Sequence, residues 1–202
     1  MSQTKTQLVA SPLNLNGADL TFPSTQGSAG QYLRNTGTAG TLEFGTFPGA
    51  FTSYAIICDE KTDGTHGGQL TGGSWLTRDL QTTIADPDSI VTSISSDRFT
   101  LQAGSYLITA SAPAIEVNRH QARLYDFTNS SVIQYGSSEY SGDANGYSTC
   151  RSFIEARVTP TAATAYEIQH RGRETRTSFG FGIDSAFGGK NIYTIVKIFK
   201  EA

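Results

Sequence analysis

The chain has 202 residues, a net charge of −3 and a charged fraction of 16%, against roughly 25% in an ordinary soluble domain. Such a length allows one sizeable domain, or one domain with an appendage. The charge balance disfavours a phosphate-neutralising nucleic-acid surface, and no apolar run approaches the roughly 20 residues of a membrane-spanning helix. Met1 to Leu8 is polar and has no apolar signal core, so a role outside a cell implies export by a route other than Sec, lysis included. Twenty-one glycines with frequent Ser and Thr favour short strands and turns over long helices. No window of eleven or more residues carries an amphipathic helical pattern.

Residues 1–50 hold seven of the glycines and no sustained β-branched run. Pro12 to Asn16 and Ala18 to Pro23 are short extended pieces bounded by turn residues. Their apolar side chains, Leu13, Leu15, Leu20, Phe22 and Leu33, are too few to build a core in so short a segment. An attachment role, or packing between copies, would bury them.

From Phe51 onward strand signals recur at regular spacing. Ser53 to Cys58 is an apolar run that ends in the loop Asp59 to Gly73. Ser74 to Gln81 holds the only Trp, Trp75, and Asp86-Pro87-Asp88 is a turn before Ile90 to Ser95. Arg98 to Leu101 is expected to join Ser105 to Ala112 through Gln102-Ala103-Gly104 as a compact hairpin. Gln121 to Phe127, the turn Asn129-Ser130 and Val132 to Tyr135 follow, then a long polar loop from Gly136 to Gly146. Thr149 to Val158 alternates, with Cys150, Ser152, Ile154, Ala156 and Val158 inward. Ala165 to Arg171 and Gly180 to Asp184 precede the last strand, Asn191 to Lys200.

That last strand is apolar on both faces. Ile192, Thr194, Val196 and Ile198 point one way; Tyr193, Ile195, Lys197 and Phe199 point the other. A strand wetted on one side would alternate apolar and polar. One face therefore belongs to a core, with Ile192, Val196 and Ile198. The other, with Tyr193, Ile195 and Phe199, needs a cover, for which copies of the same chain are the simplest source. Eight to ten short strands over about 150 residues predict an all-β antiparallel sandwich, a Greek-key jelly roll. That topology sets Tyr54-Ala55-Ile56-Ile57 beside Tyr193-Thr194-Ile195-Val196.

Two segments resemble known families. Leu20-Thr21-Phe22-Pro23 through Gly27-Ser28-Ala29-Gly30-Gln31-Tyr32-Leu33, with Gly37 and Gly40-Thr41-Leu42-Glu43-Phe44, is similar to a "GQxL" segment of bacteriophage tail-fibre and other virion proteins. Phe44 stands where those proteins usually carry Trp. Phe51 to Ala202 resembles C1q/TNF-like jelly-roll domains such as those at phage fibre ends, chiefly through "F-T-L-Q-A-G-S-Y-L-I", where Gly104 makes the hairpin and Tyr106 enters the core. The resemblances imply an N-terminal attachment or shaft segment (1–50) and a C-terminal jelly-roll knob (51–202). They imply a homotrimer on the particle surface. It would contact other virion proteins through the N-terminal segment and a host-surface glycan or protein through the knob, as a tail fibre or tail-tip component. The alternative is a capsid decoration or cement trimer.

Chemistry-bearing residues point away from catalysis. No G-x-S-x-G is present, and Asp59, Glu60, Asp63 and His66 match no calcium loop. No catalytic, metal or cofactor site is expected, which leaves His120 and His170 as strand-surface residues and the acids as solvated. Cys58 and Cys150 read as two small buried thiols, with a disulfide or metal pair as the alternative. Arg171, Arg173 and Arg176, near Arg151 and Arg157, either pair with Glu155, Glu167 and Glu174 or bind anionic or sugar groups. The loop aromatics Tyr135, Tyr140 and Tyr147 would suit carbohydrate stacking or trimer-rim contacts.

Overall fold

The computed structural model describes residues 13–15, 18–38, 40–46, 51–142 and 148–202. The chain divides into two compact units, Met1–Gly49 and Ala50–Ala202.

In the first unit β1 (Leu13–Leu15) pairs antiparallel with β2 (Ala18–Leu20), and β3 (Gln31–Asn35) with β4 (Leu42–Thr46). A parallel bridge joins Thr21 to Thr41. The glycines of the sequence segment have local causes. Gly27 lies flat against the Phe44 ring, where a Cβ would come within 2.6 Å, and Gly30 turns the chain into β3 at φ +83°. Arg34 and Glu43 pair across the β3–β4 hairpin at 2.8 Å. No described apolar side chain of this unit is buried, and Phe22 and Leu33 are exposed.

The second unit is a sandwich of two antiparallel sheets. Its strands are β5 (Phe51–Lys61), β6 (Leu76–Thr77), β7 (Thr82–Ala85), β8 (Val91–Ser95), β9 (Arg98–Leu101), β10 (Tyr106–Ile115), β11 (Arg119–Asp126), β12 (Ser131–Tyr140), β13 (Thr149–Val158), β14 (Thr164–Gly172) and β15 (Asn191–Glu201). One sheet runs β13-β10-β15-β5-β7, the other β12-β11-β14-β9-β8 with β6 beside β14. Among the described residues no helix occurs. Apart from the adjacent pairs β8–β9 and β11–β12, successive strands switch sheets, and the architecture is the expected Greek-key jelly roll.

The core lies between the sheets. Ala55, Ile57, Ile108, Ala112, Ile154, Val196 and Ile198 face Phe99, Leu101, Ala122, Leu124, Tyr166 and Ile168. Period-two alternation decides which residues enter it, most cleanly on β13, where Ser152, Ile154, Ala156 and Val158 are buried between exposed Phe153, Glu155 and Arg157. A smaller cluster of Leu70, Ala114, Val117 and Phe181 closes one end.

Four expectations are corrected. First, β9 and β10 do not form a hairpin. β9 pairs with β8 and β14, and β10 with β13 and β15. Gln102–Gly104 is a crossover between sheets, held where the Gly104 amide donates to the Pro160 carbonyl at 3.0 Å. The hairpin is instead β8–β9. Ser96 (φ 50°) and Asp97 (φ 62°) occupy its two left-handed turn positions, a type I′ geometry usually signalled by Asn-Gly and so hidden in Ser-Asp. Second, the strand after Ser130 runs to Tyr140, which removes half of the expected polar loop; Gly136 approaches the Phe153 carbonyl too closely for any side chain. Third, β7 went unread, and residues 180–184 form no strand.

The fourth correction concerns β15. It pairs with β5 as expected, but Tyr54–Ile57 lie opposite Val196–Phe199 rather than Tyr193–Val196. A bulge between Ile192 and Ile195 breaks the alternation. Tyr193 is consequently only 4% exposed. Its hydroxyl donates to the Thr65 carbonyl at 2.7 Å, and Gly67 and Gly182 press on its ring where neither could carry a Cβ. Tyr193 therefore leaves the expected threefold contact. Ile192 is half-buried and outside the main core, whereas Val196 and Ile198 are fully buried in it.

The bulge also positions Thr194, which meets the guanidinium of the fully buried Arg78. Arg78 Nε donates to Thr194 Oγ1 at 2.7 Å, Nη1 to the Pro113 carbonyl at 3.2 Å and Nη2 to the Phe181 carbonyl at 3.0 Å. Burial lowers its pKa to about 9, so it stays charged at neutral pH. Arg78→Met should cost at least about 3 kcal/mol, because three buried acceptors lose their donor. Urea denaturation reads this; an unchanged midpoint would contradict the assigned role.

Candidate functional site

A groove of about 690 Å³ opens on the outer face of the β11-β12-β14 sheet. Three strand ends build it. Register places Arg171, Gln121 and Ser138 in one row, Gly172, His120 and Glu139 in the next, and Arg119 beside Tyr140 in the third. The Arg173 amide donates to the Arg119 carbonyl at 2.9 Å, which extends that third row onto β14. With two-residue periodicity, Arg119 and Gln121, Ser138 and Tyr140, and Arg171 and Arg173 share the groove side.

Trp75 forms a wall. It precedes β6, and its ring stacks under the Arg123 guanidinium at 4.0 Å, 6.0 Å from Tyr135. Arg123 is held in turn by Gln169, to which its Nε donates at 2.7 Å. Gly172 forms part of the floor; a Cβ there would come within 3.0 Å of Leu70 and Val117 below.

Beneath the groove the two histidines are buried, not on the strand surface. His170 Nε2 lies 2.9 Å from His120 Nδ1, and His120 Nε2 lies 3.0 Å from Cys150 Sγ. Cys150 Sγ donates to the Tyr140 carbonyl at 3.3 Å. That donor direction sets the others: His120 Nε2–H points at sulfur and His170 Nε2–H at His120 Nδ1. His170 Nδ1 is then left as an acceptor without a donor, and it is buried without a hydrogen-bond partner. The His170 ring stacks on Phe181 at 5.9 Å and 17°, and Arg78 sits 3.9 Å over the same Phe181 ring.

This chain has the connectivity of a thiol–imidazole dyad but not its charge. Burial pushes His120 down to about 4, and pushes His170 well below the usual imidazole range, with Arg78 and His120 adding to the latter. Burial, reinforced by Glu139, raises Cys150. Sulfur therefore keeps its proton, and neither imidazole takes it at neutral pH. The arrangement supports the groove floor and does not activate a nucleophile. Cys58 and Cys150 are both free thiols, Cys58 buried and Cys150 half-buried. Among the described residues no group of three or more His, Cys, Asp or Glu could hold a metal. Asp59 is fully buried rather than solvated, paired with Lys61 at 3.2 Å.

Of the residues expected to bind at the surface, the structure gathers Arg171, Arg173 and Tyr140 on one groove. Arg176 is absent from it. Its Nε donates to Glu116 at 3.1 Å, and its backbone bridges Leu70, so it holds a loop. Tyr147 lies outside the described residues. The expected pairing with Glu155, Glu167 and Glu174 fails. Glu167 pairs with Arg98, Arg157 with Glu201, and Glu174 accepts from Asn118. Arg119, Arg171 and Arg173 have no described carboxylate within salt-bridge distance. Sequence reasoning missed Trp75, Arg119 and Glu139 as groove residues; only the 119/121 and 171/173 spacing, combined with the register, could have joined them.

No protein-family model and no curated protein sequence matches the chain. Solved structures do. The globular domain of zebrafish complement 1qA matches 73% of this chain and 96% of its own at 14% identity and a TM-score of 0.45. Murine APRIL matches 73% and 98% at 8% identity, TM-score 0.46. Eiger TNF from S. frugiperda matches 74% and 92% at 12% identity, TM-score 0.50. At such identities the likeness speaks to fold alone, and it is carried by the Eiger superposition at a TM-score of 0.50. The second unit is a C1q/TNF-like jelly roll.

The buried imidazoles make stability pH-dependent. Their native pKa values lie below the ordinary 6.5, so the unfolded chain takes up protons first as pH falls. Their contribution is complete above about 6.5 and is lost progressively towards pH 4, on the order of 3 kcal/mol for His120. His120→Gln should flatten the fall of the urea midpoint between pH 7 and 4.5. Parallel curves for the variant and the parent would contradict this.

Proposed function

We propose that the chain is a non-enzymatic structural protein of a bacteriophage particle. Its second unit forms a homotrimeric surface knob, and its first unit attaches that knob to other virion proteins. The observation that carries the trimer is the outer face of the β13-β10-β15-β5 sheet. Leu107, Phe199 and Tyr54 form one row across three strands. Thr109, Lys197 and Ile56 form the next, and Ser111 and Ile195 follow. Phe51 packs against Phe199 with ring centroids 5.2 Å apart and the rings tilted by 40°, and Phe153 stands beside Ser111. Phe153 is 58% exposed, and Phe51 and Tyr54 are each 43% exposed. Contiguous apolar surface of this kind on a sheet face is what a subunit contact needs. Glu155 and Lys197 flank Thr109 and supply opposite charges that can fix the register of a neighbour.

The phage assignment rests on the resemblance of residues 20–44 to virion segments, with Gly27, Gly30 and Phe44 in the roles described above. Phe22 and Leu33, exposed in the first unit, suit an attachment surface with Leu20; Leu13 and Leu15 lie on β1 of the same unit. The groove described above is the feature that supports a role in host-surface recognition, as a tail-fibre or tail-tip component. A second reading, a capsid decoration trimer, is favoured by the small first unit, whose strands are only three to five residues long.

Two measurements test this. Ile195→Asp and Phe199→Asp should each convert the trimer to monomer by sedimentation, since a charge would be buried at the contact without a partner. Tyr193→Asp should instead unfold the knob. A trimer that survives both face substitutions would overturn the assigned interface. Immunogold labelling of particles separates the two settings, because label confined to the head would exclude the tail role.

A further inference from the structure

We infer that the groove between β11, β12 and β14 is a binding site for a sugar bearing a carboxylate, such as a uronic-acid unit of an acidic polysaccharide. The first argument is electrostatic. Arg119 and Arg173 are cross-strand neighbours, and Arg171 lies one step along the same face. Like charges at such positions repel, and no described carboxylate within pairing distance neutralises any of the three. Elsewhere this chain pairs its arginines with care: Arg98 with Glu167, Arg157 with Glu201, Arg176 with Glu116. Three guanidinium groups without a carboxylate partner among the described residues form, on one groove, a receptor for a planar anion, which accepts paired N–H donors.

The second argument is shape. Trp75, braced by Arg123, and Tyr140 line the same groove. Aromatic faces beside hydrogen-bonding groups suit the C–H surface of a pyranose ring, and Gln121 and Ser138 offer donors and acceptors to its hydroxyls. The chain's net charge of −3 disfavours a polyphosphate backbone as the occupant. A cavity of about 690 Å³ accommodates more than one ring. The inference deepens the recognition role proposed above and rests on it for the ligand's setting on a cell surface.

Calorimetric titration of the purified full chain with trigalacturonate tests it, with the trimethyl ester, inorganic phosphate and a short oligothymidylate as comparators. Saturable binding of trigalacturonate is expected, weaker by about tenfold or more for the ester. Arg171→Ala and Arg173→Ala should each lower affinity about tenfold with an unchanged thermal midpoint, because neither side chain makes a hydrogen bond to another described residue. Absence of binding at millimolar sugar, an unaltered affinity in the double arginine variant, or equal binding of phosphate or oligothymidylate would each overturn the assignment. Sedimentation of the same samples reads the trimer separately, so failure of the site and failure of the knob assembly are distinguishable.

Discussion

The buried guanidinium of Arg78 is the interaction on which the second unit's organisation most depends. A cation with no water around it is costly unless every donor finds an acceptor. Each of the three guanidinium nitrogens of Arg78 finds one acceptor, and together they join three parts of the fold: Thr194 on β15, Pro113 on β10, and Phe181 in the connection between β14 and β15. The bulge on β15 is what presents Thr194 to it, and the same bulge turns Tyr193 inward. From Phe181 the support passes to His170, then to His120 and Cys150, and so to the carbonyl of Tyr140 at the groove's edge. Interior charge and surface site are thus connected by contacts a few ångströms long.

The two sheets of the sandwich share a core but present opposite chemistry to their surroundings. The outer face of the β15 sheet is aromatic and aliphatic with a few balanced charges. The outer face of the β11 sheet is cationic with aromatic walls. Neither character is needed by the interior, which is satisfied by the inward half of each strand. The two outer faces are thus chemically independent, and substitutions on one leave the other's geometry in place.

The fold was legible because period-two alternation and turn residues are local signals. Thr149 to Val158 reads correctly residue by residue for that reason, and Tyr106 enters the core as expected. What failed depended on partners distant in sequence. Nothing in Gln102-Ala103-Gly104 distinguishes a hairpin from a crossover, since both require a turn and the difference lies in where β14 and β15 pair. The left-handed pair Ser96-Asp97 lacks the glycine that normally marks such a turn. Tyr193 obeys strict alternation in the sequence and escapes it in space through a bulge that no residue announces. Arg171, Arg173 and Tyr140 were identifiable by type, whereas Arg119 and Trp75 join them only through the register of three strands.

The place of β15 between β5 and β10 has a consequence for synthesis. Until residues 191–201 leave the ribosome, that sheet exists as two separate pieces, β5 with β7 and β10 with β13, and Arg78 lacks Thr194. Sheets built from partners so distant in sequence form slowly. A nascent chain that stops before residue 191 therefore carries neither the joined β13-β10-β15-β5 sheet nor the hydroxyl acceptor that Arg78 takes from β15.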